Sequence, residues 1–63
     1  MNEIQYYKTY KIKFKVKTYF GDIVINNELA WPSCNDNGEI IWTLCIDNST
    51  IISNEYVINY KLL

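Results

Sequence analysis

Tyr7-Lys8-Thr9-Tyr10-Lys11-Ile12-Lys13-Phe14-Lys15-Val16-Lys17-Thr18-Tyr19-Phe20 changes character at almost every step. Its odd positions read Tyr7, Thr9, Lys11, Lys13, Lys15, Lys17, Tyr19, and its even positions from Tyr10 onward read Tyr10, Ile12, Phe14, Val16, Thr18, Phe20. Side chains alternate faces along a β-strand. A period of two sustained this long therefore predicts one strand, Tyr7 to Tyr19, with a lysine row on one face and an apolar row on the other.

Working outward, Phe20-Gly21-Asp22-Ile23 reads as a tight turn, because glycine supplies the positive φ that a two-residue hairpin needs. With Gly21 and Asp22 as the loop, Phe20 faces Ile23, Phe14 faces Leu29 and Ile12 faces Trp31. On the other side Lys15 faces Glu28 and Lys17 faces Asn26. Trp31-Pro32 is expected to end the second strand, since proline cannot donate into a ladder. Ser33 to Gly38 is a polar loop dense in turn formers. Glu39 to Asp47 alternates again and reads as strand three, and Asn48-Ser49 reads as the next turn. Thr50 to Ser53 gives a short fourth strand, with Cys45 opposite Ile52 in the two-residue register. Ser53-Asn54-Glu55 interrupts it. Tyr56 to Leu62 then alternates as Tyr56, Ile58, Tyr60, Leu62 against Val57, Asn59, Lys61. Ser53 as a helix cap is the competing reading of that last segment, but its β-branched and aromatic residues favour strand.

The fold class that follows is all-β: a single small domain over residues 1–63, a four- to five-stranded antiparallel meander forming a curled sheet or a small open SH3-like barrel. Composition agrees. Hydrophobic residues make up 49% of the chain, led by strand formers, with one alanine and no arginine. At 63 residues the chain is short enough to bury only about 60% of the surface its unfolded form exposes.

Several chemistries have no residues to carry them. There is no histidine, the usual acid–base group near neutral pH, and glycine occurs only at Gly21 and Gly38, so no phosphate-cradling loop can be drawn. Two cysteines without histidine do not complete an ordinary zinc site. Asp36 and Glu39 are too few for a calcium site, which recruits six or more oxygens. The sequence therefore predicts no enzyme, no metal and no cofactor. Cys34 and Cys45 are read as reduced thiols in a cytoplasmic protein, a disulfide being the alternative. The amino-terminal residues lack the basic and apolar regions of a secretory signal. Asn48-Ser49-Thr50, which fits a glycosylation acceptor, is read as turn chemistry, and no membrane partner is expected.

Charge is uneven. Residues 1–17 carry five lysines against Glu3, whereas residues 18–63 carry Lys61 against six acids, for a net charge of −1. The row Lys11, Lys13, Lys15, Lys17, with Tyr7 and Tyr19 on the same side, has the ingredients of a single-stranded nucleic-acid track. The competing interpretation is a solvated face with Glu28 as counter-charge. The scattered acids could mimic nucleic acid, but turn solvation explains them more simply. Strand three is apolar on both faces, and one small sheet covers only one face with its own core, so the second is expected either to be a partner or subunit contact or to be covered by closure into a barrel.

These features predict a non-enzymatic protein-binding domain that occludes a host protein, with Tyr7, Tyr19, Trp31, Ile41 and Ile52 as partner contacts. Tyr6, Tyr10 and Trp42 are further aromatic candidates, with Trp42 at core spacing. Abundant Ile, Asn, Lys and Tyr without Arg or His is what A/T-rich codons produce, which points to a low-G/C bacterium, its phages or mobile elements, or another virus. Nucleic-acid binding through the lysine row is the runner-up, followed by a structural or assembly subunit, with a homodimer also open.

Overall fold

The computed structural model describes residues 4–63. It is one open antiparallel sheet of five strands: β1 (Tyr10–Thr18), β2 (Gly21–Cys34), β3 (Ile40–Leu44), β4 (Ile51–Ser53) and β5 (Val57–Leu62). A 3-10 turn, Asn54–Tyr56, joins β4 to β5. The order across the sheet is β4-β3-β2-β1-β5. Strands one to four form the expected meander. The fifth departs from it, crossing to the far edge to pair with β1. No helix among the described residues is long and apolar enough to cross a membrane.

The alternation read from the sequence holds along β1. Tyr10, Ile12 and Phe14 are buried, while Lys11, Lys13 and Lys17 are exposed. These three apolar residues form the core with Ala30, Trp42 and Leu44. The sheet must curl to make that core. Three strand spacings separate β3 from β5, about 14 Å in a flat sheet, yet the rings of Trp42 and Tyr60 lie 5.3 Å apart, and Tyr10 meets Trp42 edge-on at 5.2 Å. Trp42 is fully buried, and its indole N–H donates to Asn54 Oδ1 at 2.8 Å, so the crossover turn is tied to the centre of the core.

The first hairpin differs from expectation in its loop and register. Tyr19 and Phe20 form the loop, and Gly21 opens β2 with φ 117°. Neither loop residue has positive φ, so the left-handed step of this hairpin falls on Gly21, just after the loop. Thr18 reinforces the turn by accepting from Phe20 N–H at 3.2 Å and donating to the Gly21 carbonyl at 2.6 Å. Lys17 consequently faces Asp22, Lys15 faces Val24 and Phe14 faces Ile25. A bulge follows: Asn26 and Asn27 both lie opposite Lys13, with Asn27 left-handed at φ 61°. Beyond it Ile12 faces Glu28, Lys11 faces Leu29 and Tyr10 faces Ala30.

Three strand ends are also corrected. β1 begins at Tyr10, because Tyr7 sits in a left-handed turn at φ 65° and donates its N–H to the Pro32 carbonyl at 2.9 Å. β2 runs through Pro32 to Cys34. In a strand a residue's N–H and C=O point the same way, and the Pro32 carbonyl points at Tyr7, so its missing donor faces away from the β3 ladder. β3 stops at Leu44. Asp47 then takes up the Ser49 and Thr50 backbone N–H groups at 3.0 Å each, which opens the β3–β4 connection into a longer loop. Ile52 therefore pairs with Trp42, not with Cys45. The last segment is strand, as expected, but a bulge at Ile58 puts Val57, Tyr60 and Leu62 in line with Phe14, Ile12 and Tyr10. Ile58 leaves the inward row and is exposed.

Candidate functional site

The outer surface divides into two regions that meet along β2. Over the base of β2, β3 and β4 it is apolar. Trp31 and Thr43 are directly paired, with Leu29 and Ile41 two residues away on the same face. Tyr7 lies over Trp31 with ring centroids 5.8 Å apart, and the Trp31 indole N–H donates to Asn48 Oδ1 at 3.4 Å. Thr43 is buried even though it faces outward, which shows how closely its neighbours crowd it. Ile46 and Ile51, both exposed, continue the region. Leu29, Cys45 and Ile46 line a shallow depression of about 310 Å³ with Asn27 and Glu28.

The second region, over β1 and β5, is basic. Lys11, Lys13, Lys15 and Lys17 project from one face of β1, and Lys61 of β5 stands directly opposite Lys11. Glu28, expected as counter-charge, pairs with Ile12 and so belongs to the other face. Asp22 takes that place, with its carboxylate 4.0 Å from the Lys15 ammonium.

Of the expected partner contacts, Tyr7, Trp31 and Ile41 share the apolar region. Tyr19 lies at the hairpin tip, away from them, beside Phe20 at a ring separation of 6.2 Å. Ile52 faces inward against the core, at a seam where β4 approaches the half of β1 that β5 does not cover. There it lines a groove of about 310 Å³ with Val16, Tyr56, Ile51 and the stems of Lys15 and Lys17. Tyr10 and Trp42 are core, whereas Tyr6 is exposed.

Sequence reasoning missed Phe20, taken as the last member of the apolar row flanking the turn, and Lys61, whose place depends on the β5–β1 pairing. The signal for Phe20 was the tripeptide Tyr19-Phe20-Gly21, in which glycine follows the turn. Among the described residues no three His, Cys, Asp or Glu side chains cluster as metal ligands. Cys34 and Cys45 are free thiols, the first exposed and the second half-buried. Among the described residues, Asp47 is the titratable group whose environment clearly shifts it. The Thr50 hydroxyl, the Thr50 N–H and the Ser49 N–H all donate to its carboxylate and hold its pKa at about 2, below the ordinary 3.8. That serves the β3–β4 loop and supplies no reactive group.

No protein-family model matches the chain, and no curated protein or solved structure shows significant similarity to it.

Proposed function

We propose that this chain is a non-enzymatic domain that binds a protein partner and acts by covering the partner's surface. The observation that carries the reading is the β1–β2 hairpin tip, where Tyr19 and Phe20 are 100% and 99% exposed on consecutive residues. Single exposed hydrophobes are ordinary, but contiguous ones mark interaction surfaces. Ile23 and Val24, also exposed, extend the tip down β2. Aromatic rings make good anchors because they offer large contact area with few rotatable bonds to freeze. The Tyr7–Trp31 region is a second apolar contact of the same kind.

Affinity capture tests the reading, with the wild-type chain and a Tyr19→Ser/Phe20→Ser chain compared on the same low-G/C bacterial lysate. A specific protein retained by the wild type and lost by the variant supports it, provided both chains unfold at the same urea concentration. A captured set that is identical for the two chains overturns it. So does recovery of nucleic acid with no protein.

A further inference from the structure

The lysine face carries more charge, and less compensation, than the sequence assigns to it. Lys61 joins the four lysines of β1, and Lys11 and Lys61 face each other directly across the β1–β5 ladder. Like charges placed directly opposite are destabilising. Glu28 is turned to the other face, and among the described residues the ion pair on this face is the long, half-exposed Lys15–Asp22 contact. Exposed pairs of that kind contribute little. A fold whose core is six buried apolar side chains thus carries a concentrated, nearly unopposed row of ammonium groups.

We propose that the outer face of β1 and β5 binds the phosphodiester backbone of single-stranded nucleic acid. The charge forms a track and not a pocket. Lys11 to Lys17 extends over six residue steps, about 20 Å, with a lysine every 6.6 Å or so. A chain of phosphates matches that repeat, whereas a single anionic headgroup would use one or two of its positions. At the Lys11 end, Lys11, Lys13 and Lys61 share a groove of about 220 Å³ with Asn26, Asn27 and Asn59, whose side chains carry amides. Each amide both donates and accepts, as sugar hydroxyls and base edges require. At both ends of the row stands an aromatic pair, Tyr7–Trp31 and Tyr19–Phe20. Exposed rings beside a basic track are the platform on which unpaired bases stack. Among the described residues Glu28 is turned to the other face and Asp22 is the acid paired on this one, and with a net charge of −1 over the chain the remaining surface repels a polyanion and confines it to this face.

Fluorescence anisotropy with labelled oligothymidylate and oligouridylate of about ten nucleotides tests this across a salt series. Three to five phosphate contacts, each releasing about 0.7 counterion, weaken binding roughly 20- to 130-fold between about 50 and 200 mM salt. Lys11→Gln/Lys61→Gln removes two contacts and lowers the log–log slope by about 1.4. Its thermal midpoint is unchanged or higher, because the opposed charges are gone. The Tyr19→Ser/Phe20→Ser chain keeps the full slope but binds more weakly at every salt concentration, because it loses a stacking platform and no phosphate contact. Absence of binding to either oligonucleotide at about 50 mM salt overturns the proposal. So does an unchanged slope in the double-glutamine chain. Retention on phosphatidylserine vesicles without oligonucleotide binding also overturns it and assigns the face to lipid.

Discussion

Replacing Asn54 by alanine tests how the curled sheet is sealed. Asn54 is itself exposed, but its Oδ1 accepts the indole N–H of fully buried Trp42 at 2.8 Å. Asn54→Ala leaves that donor buried without a partner, a cost of roughly 1–3 kcal/mol. A chain of this size has a total stability of roughly 3–9 kcal/mol at 0.05–0.15 kcal/mol per residue. The loss is thus a sizeable share of the whole. Taking a central value of about 2 kcal/mol, the thermal midpoint falls by about 8–16 °C. Two controls isolate the cause. Asn54→Asp keeps an acceptor and is expected to stay near wild type. In a Trp42→Phe background, which has no indole N–H, Asn54→Ala is expected to cost less than about 0.5 kcal/mol, the range of ordinary surface changes. Urea unfolding followed by circular dichroism measures the wild type and all four variants. If Asn54→Ala alone lies within about 0.5 kcal/mol of wild type, water already reaches the indole, and the crossover turn does not close the core.

The pH dependence of Asp47 has a definite sign. Its folded pKa of about 2 lies below the ordinary 3.8, so its contribution is fully present above about pH 4 and is lost as pH falls from there toward 2. Asp47→Asn removes that component from an acid-unfolding profile, and a profile unchanged by the substitution refutes the assignment. Iodoacetamide followed by intact mass is expected to label Cys34 in the native protein faster than half-buried Cys45, with both labelled in denaturant; a mass lower by two hydrogens and inert to alkylation in denaturant would show a disulfide instead. Asn27→Gly is expected to hold or gain stability, by up to about 1 kcal/mol, and Asn27→Val to lose at least about 1 kcal/mol, because β-branched side chains resist positive φ. Equal urea midpoints for the glycine and valine chains would show that the left-handed bulge is not a constraint.

Element type was legible in the sequence because a period of two is a local property. Tyr10 to Thr18, Ile40 to Leu44 and Val57 to Leu62 all became strands where alternation demanded them. Register was less legible, because it depends on turn chemistry that several dipeptides satisfy. Gly21-Asp22 suits a two-residue loop, but Tyr19-Phe20 followed by a left-handed Gly21 satisfies the same hairpin with different partners. Pro32 misled for a related reason. Proline is excluded only from positions whose N–H the ladder needs, and which side of the strand that is depends on where the neighbouring strand begins. The candidate contacts fared according to how local their cues were. The outward lysines of β1 were fixed by alternation alone. Ile52 and Lys61 were settled by pairings between segments far apart in the chain, and no local pattern encodes those.

One asparagine links the two outer regions. Before the bulge, the residues of β2 that share the lysine face are even-numbered: Asp22 opposite Lys17 and Val24 opposite Lys15. The extra residue at Asn26-Asn27 reverses that parity, so beyond it Leu29 and Trp31 turn outward while Glu28 and Ala30 turn inward. Without the bulge, Glu28 would sit among the lysines, as the unbroken alternation implied, and Trp31 would compete with Trp42 for an interior already filled. The left-handed backbone of Asn27 is thus the local event that strips the lysine row of a counter-charge and, in the same step, places Trp31 where Tyr7 packs against it. The filled core accounts for turning Trp31 outward but not for removing Glu28 from the lysine row. One bulge does both, since bulges re-aim side chains at the cost of ladder bonds.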